Sequence, residues 1–236
     1  MKKIALIAFL AVVLLCSCDG NTKVKIAYEH PECYSVGNAT IIQPVNKISI
    51  DWVAGAVSIQ YSNDNSFRIR EESDSTLTDS LRMRYYIDED GELEIKFCQN
   101  GNYRNGRLVN INKRLVVEVP HEASLDDVNI DMVDGLINYD SVWCHELNLD
   151  VVNVATTVWT PTLPDEINVD AVKATLRLFV ANTAGVTLEM DGIKTSLDSK
   201  LPVRKEGKKT VIGDGHCRVD IDAVSSEVYI NKLNEQ

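Results

Sequence analysis

Short runs of alternating apolar and polar residues dominate this chain. Ile48, Ile50 and Trp52 form one, and Leu93, Ile95 and Phe97 another. Leu115, Val117 and Val119 make a third, and Val128 with Ile130 a fourth. Each run ends at Gly, Asn, Asp or Pro, the pattern of a strand with one face in a core and one in water. Helical periodicity is scarce, and only Ser73 to Leu81 predicts a helical turn. Within YYIDEDGELEIKF, the Asp90-Gly91 pair predicts a tight hairpin.

The alternation also recurs at long range. VNIDMVD from Val128, LNLDVVN from Leu147, INVDAVK from Ile167, VTLEMDG from Val186 and VDIDAVS from Val219 share one text, and ISIDWVA from Ile48 fits the same beat. The later offsets are 19, 20, 19 and 33 residues, the last widened by a polar insertion around Arg204 to Gly215. Self-similarity near 20 residues predicts an all-β stack, a parallel β-solenoid or β-helix in which each unit covers the one before it. Each coil is expected to hold two short strands, Val128 to Met132 and Leu136 to Tyr139, with a turn near Gly135. Leu163-Pro164 and Leu201-Pro202 suggest further corners. The stretch from Asp51 to Pro120 is less regular, and a two-sheet sandwich also fits the alternation.

If Val128 and Ile130 point inward, their neighbours point outward. Stacking in chain order then builds two polar ladders. One is Asn129, Asn148, Asn168, Thr187 and Asp220, a candidate binding row; the other is Asp131, Asp150, Asp170, Glu189 and Asp222. Amides can hydrogen-bond along such a stack. Carboxylates repel by about 1 kcal/mol per pair in water, so the acidic row is a candidate calcium site, since hard cations take several oxygen ligands. Capping of turns or plain solvation explains the same residues. Cys144-His145 and His216-Cys217 carry zinc-type donors, but stacking in chain order sets them three coils, roughly 14 Å, apart. That is too far for one metal or for a Cys144–Cys217 disulfide. Trp52, Trp143 and Trp159 read as core or corner packing, with Trp143 and Trp159 an alternative sugar-stacking platform.

The ends and the charge place the chain in the cell. Lys2, Lys3 and the apolar run Ile4 to Leu15 form a secretory leader too short to span a bilayer. Leu15-Cys16-Ser17-Cys18 resembles a bacterial lipobox, which makes Cys18 the lipidation residue and the new N-terminus. Loss of the leader takes the formal charge from −11 to about −13, which excludes nucleic acid as a partner. The expected organisation is a leader at 1–17, a tether and N-terminal cap at 18–44, and a repeat domain at 45–233 in the cell envelope. Cys33, Cys98, Cys144 and Cys217 allow two disulfides or four free thiols. No Gly-x-Ser-x-Gly, phosphate-cradling or His-Glu-x-x-His element is present, so no enzyme is expected.

The runs YEHPECYSVGNATIIQPVNKISIDWVAGAVSIQ, RYYIDEDGELEIKFCQNG and LVVEVPHEASLDDVNIDMVDGLINYD resemble the bacterial "putative adhesin" family of β-strand repeats, related to the auto-transporter adhesin head domain called GIN. The resemblance covers about residues 26 to 232. It implies a right-handed parallel β-helix without a catalytic motif, and lipid anchoring together with the repeat architecture makes a non-catalytic surface module for glycan or protein ligands the expected function. The alternative is an inward-facing envelope scaffold or an accessory of a signalling or transport complex, on the footing of Asp19 beside the lipid cysteine.

Overall fold

The computed structural model describes residues 28, 30–99, 103–104, 107–108, 111–181 and 185–233. The expected leader, Cys18 and the expected tether as far as residue 27 lie outside the described residues. No helix among the described residues is long and apolar enough to cross a membrane.

Alternation gives an all-β chain with sixteen strands among the described residues. The first nine are short apart from β3: β1 (Ser35–Val36), β2 (Ala39–Ile41), β3 (Lys47–Tyr61), β4 (Phe67–Ser73), β5 (Arg84–Ile87), β6 (Glu92–Lys96), β7 (Tyr103–Arg104), β8 (Arg107–Leu108) and β9 (Lys113–Val119). The repeats follow as β10 (Leu125–Asp140), β11 (Cys144–Trp159), β12 (Glu166–Val180), β13 (Val186–Ser199) and β16 (Cys217–Lys232). Between the last two lie β14 (Val203–Glu206) and β15 (Lys209–Ile212), which pair as a hairpin. The helical turn expected near Ser73 to Leu81 is a 3-10 turn at Asp79–Leu81. The expected hairpin is present as β5 and β6, with Gly91 at φ 82° and Asp88 Oδ1 accepting the amides of Asp90 and Glu92.

Each repeat is one long strand rather than two short ones. Buried positions switch from even to odd numbers within β10: Val128, Ile130 and Met132, then Ile137 and Tyr139. The residue at the switch drops out of the ladder, at Val53, Val133, Val152, Val172, Val224 and Ile193. An irregularity of this kind bends a strand and turns two successive side chains outward. Gly55 and Gly135 sit opposite one another just past the bend, at φ 107° and 139°. A Cβ on Gly135 would lie 2.1 Å from the Gly55 carbonyl oxygen, so two backbones meet there that no side chain could separate. Later strands carry Val154, Ala174 and Ser226 at the same register.

The bend gives every repeat two arms. Along the first arm the order is β1-β5-β6-β3-β10-β11-β12-β16-β13-β15-β14. Along the second, β2, β4 and β9 lead into β3, and the same long strands follow. From β3 to β13 the neighbours run parallel, so the sheet is large and mostly parallel. Its inner faces form one continuous core that includes Ile48, Trp52, Val128, Leu147, Ile167, Val219 and Ile230. Each such aliphatic side chain contributes about 1.5–3 kcal/mol by burial.

The strand order corrects the expected stacking. β16 pairs with β12 on one side and with β13 on the other, so the last repeat is inserted before the one that precedes it in the chain. The register of β13 also differs from the motif alignment by two residues: Leu188, not Val186, lies opposite Val219.

Candidate binding face

The outward residues of the first arm form three registered polar rows. Val128, Leu147 and Ile167 are held inward by the core, which fixes Asn129, Asn148 and Asn168 on the outside at one height. Asn148 Nδ2 donates to Asn129 Oδ1 at 2.9 Å, and Asn168 Nδ2 donates to Asn148 Oδ1 at 3.0 Å. Asn168 Nδ2 also donates to Glu146 Oε1 at 2.8 Å. The amide chain anticipated from the repeat therefore exists across three strands, and its last member is buried between its neighbours. Beyond Asn168 the row continues with Asp220 and then Glu189. Thr187, expected in this row, instead faces Arg218, because of the two-residue offset of β13.

The acidic row reads Asp51, Asp131, Asp150, Asp170, Asp222 and Asp191 in spatial order. Glu189, assigned to this row by the motif alignment, sits in the amide row for the same reason. Lys96 closes one end, its Nζ donating to Asp51 Oδ2 at 2.7 Å and lying 3.1 Å from Glu94. Crowding by the surrounding strands, followed by the charges of Asp51 and Asp150, pushes the Asp131 carboxyl up to about 7. A calcium ion takes about six to eight oxygen ligands, whereas a strand spacing of about 4.8 Å lets one ion reach the carboxylates of only two neighbouring strands. Among the described residues no three His, Cys, Asp or Glu side chains converge as a metal ion requires.

The third row carries mixed charge: Glu92, Lys47, Asp127, Glu146, Glu166, Arg218 and Thr187. Lys47 lies 3.5 Å from Glu92 and 3.7 Å from Asp127, and Arg218 lies 3.7 Å from Glu166 and also bonds Asp220. Beside β13 the amide and acidic rows border a shallow groove that includes Asp170, Glu189, Asp191 and Arg218. Asp51, Lys96 and Asp191 are members that the motif alignment missed. The run ISIDWVA carried the signal for Asp51, while Asp191 was hidden by the offset of β13.

The remaining candidates separate. With β16 next to β12, Cys144 and Cys217 lie on strands two spacings apart, about 9.6 Å rather than 14 Å. That still exceeds disulfide reach, and all four described cysteines are free thiols. Burial pushes both the Cys144 and Cys217 thiols up to about 12, and Tyr139 Oη donates to Cys144 Sγ. The adjacent histidines do meet, through Asp165: His145 Nδ1 is 2.8 Å from Oδ2 and His216 Nε2 is 3.6 Å from Oδ1. Trp52 is fully buried. The Trp143 ring packs edge-on against His145, and no ring contact among the described residues joins it to Trp159.

The chain matches no family model, and no curated protein matches it. It is similar to a solved structure described as a putative cell adhesion protein from Clostridium sporogenes, with a TM-score of 0.60 at 13% identity over 84% of this chain and 100% of that one. A putative adhesin from Bacteroides fragilis aligns at 9% identity over 83% of this chain and 97% of that one, with a TM-score of 0.37, too low to bear on the fold. The first similarity shows a shared fold.

Proposed function

We propose that this chain is an envelope lipoprotein, anchored through Cys18, whose bent strands form a right-handed β-solenoid that presents its polar face to a glycan or protein ligand. The observation that carries this reading is the three-row face itself. Hydrogen-bonded amides, a carboxylate row and a mixed-charge row are held in register on a rigid parallel sheet. Such a surface offers many donors and acceptors at fixed spacing and no nucleophile–base pair, which suits recognition rather than catalysis. The adhesion-protein description of the Clostridium sporogenes structure accords with this, as does the leader with its lipobox.

Two measurements test it. Protease shaving of intact cells, read by immunoblot, should remove the protein from the outside. Protection until the envelope is opened would instead favour the inward-facing scaffold. Glycan and matrix-protein arrays probed with the wild-type chain should give ligands whose binding falls at least about tenfold in Asn148→Lys, which puts a long cation in the amide row. Binding that ignores this substitution would remove the face from the reading.

A further inference from the structure

The outermost long strand leaves half of its edge open. β15 pairs with β13 only at Val186, Thr187 and Leu188. From Gly192 to Ser199, β13 has β16 on one side and, among the described residues, no strand on the other. The inner positions are uncovered as well: Thr195 is exposed and Leu197 half-buried, where the same register in β16 holds the buried Ser226 and Val228. An open parallel strand presents a row of unpaired amides and carbonyls that another strand can complete.

The sequence of this edge selects its partner. In Gly192-Ile193-Lys194-Thr195-Ser196-Leu197-Asp198-Ser199, Lys194 and Asp198 stand two residues either side of Ser196, and all three are exposed on the outer face. Antiparallel pairing of two such edges about Ser196 sets Lys194 of each copy opposite Asp198 of the other, twice over. The same register pairs Thr195 with Leu197 on the inner side, and places Lys200 opposite Gly192, next to Asp191. A lysine on an edge ordinarily deters pairing. Here its complement lies in the only register that a two-fold axis through Ser196 allows, the self-complementary arrangement that isologous dimers require. We propose that the Gly192–Ser199 edge is a homodimerisation surface, on which a second copy of this chain adds its own β13 antiparallel through Ser196 and joins the two sheets into one.

The symmetry makes the test specific. In membranes carrying the full chain in a Cys33→Ser background, Ser196→Cys places the two new thiols opposite each other, with Cα atoms about 4.5–5.5 Å apart, within disulfide range. Mild oxidation should therefore give a covalent dimer on a non-reducing gel. Lys194→Cys, equally exposed, would leave its thiols about 13 Å apart along the pair and should not cross-link. Adding Lys194→Asp to Ser196→Cys replaces two opposite-charge pairs with like-charge ones and should lower the dimer yield roughly tenfold. The exchange Lys194→Asp with Asp198→Lys should restore it. Absence of the Ser196→Cys dimer, equal cross-linking through Lys194→Cys, or indifference to charge reversal would each overturn the proposal. Because all these positions are exposed on a strand edge, their variants should unfold with the wild-type midpoint when both are compared as dilute monomers, and a variant that does not is replaced by light scattering of the wild-type chain in detergent. A wild-type monomer at high concentration would also overturn the pairing.

Discussion

The two ends of the sheet close in opposite ways. At the β1/β2 end the long strands give way to shorter antiparallel ones: β4 and β5 cover β9 and β6, and β2 and β1, of three and two residues, finish the edges. Beneath this cover Lys113 is buried, its Nζ 2.5 Å from Glu71 Oε1, 3.0 Å from the Leu81 carbonyl and also bonded to that of Phe97. It lies 4.0 Å from the Phe97 ring centroid and 4.9 Å from that of Trp52. At the other end the β14–β15 hairpin protects the first arm of β13 and leaves the second arm bare. Very short strands and antiparallel cover are the usual ways of blunting an edge. The contrast places stability at one end and an available surface at the other.

The closed end depends most on Glu71. Glu71→Ala should cost about 3–5 kcal/mol, because it leaves the Lys113 cation buried without its counter-charge. Urea unfolding checks the figure, and Glu71→Leu combined with Lys113→Met should recover only part of the loss, since it removes the buried charge but leaves the Leu81 and Phe97 carbonyls and the Met83 amide without these side-chain partners. In the same layer Ile69, fully buried in β4, should cost about 2–5 kcal/mol as Ile69→Ala. Losses under about 1 kcal/mol at both sites would show that the antiparallel cover adds little.

How much of this could be read from the chain follows the same division. The even 19- and 20-residue offsets aligned Val128, Leu147 and Ile167 in the register they occupy, because a one-residue slip would turn every buried side chain outward. The same rule is silent about a two-residue slip and about strand order, which is why β13 was misaligned and placed before β16. Side-chain character does separate them. The second arm of β16 offers Ser226, Val228 and Ile230 to the core, whereas β13 offers Thr195, Leu197 and Ser199, the poorer set for a central position. The 33-residue gap carried the other clue, since it makes room for a hairpin. Lys113 and Glu71 were not legible as a pair, because 42 residues of irregular chain separate them.

Between the two ends, the amide row ties three repeats together. Asn148→Ala removes a donor to Asn129 and an acceptor for Asn168, so a loss of about 1–2 kcal/mol is expected on thermal unfolding. In that variant Asn168 keeps Glu146 as an acceptor, which limits the loss, whereas Asn168→Ala deletes both bonds that Asn168 donates and should cost at least as much. An unchanged midpoint in Asn148→Ala would mean that water replaces the row without loss.

The neighbouring carboxylates should respond with the opposite sign. The folded chain holds the Asp131 carboxyl near 7, above its ordinary 3.8, so between these values the folded state binds more protons than the unfolded one. Stability therefore falls as pH rises through this window, and is free of the penalty below it. Asp131→Asn should raise stability by about 1 kcal/mol at about pH 8, an amount held down by the solvent around an exposed side chain. It should change nothing below about pH 4. Unfolding midpoints for both chains across that range decide the matter, and a gain that does not depend on pH would point away from charge.

The smallest expected effect lies at the open end. The bend residues form an apolar ridge whose exposure grows toward β13: Val133 and Val152 are half-buried, Val172 is 39% exposed, Val224 52% and Ile193 81%. Flanking strands shelter the first of these side chains and fall away around the last. Hydrophobic stabilisation scales with the area removed from water, so Val152→Thr should destabilise measurably, whereas Ile193→Thr should stay within about 0.5 kcal/mol. The paired unfolding curves, taken on dilute monomer, isolate burial because both substitutions put a threonine at the same point of the bend, although Ile193→Thr deletes one carbon more than Val152→Thr. A loss above about 1 kcal/mol at Ile193 would mean that the side chain is covered in the monomer, and that the end beyond β13 is closed much as the other one is.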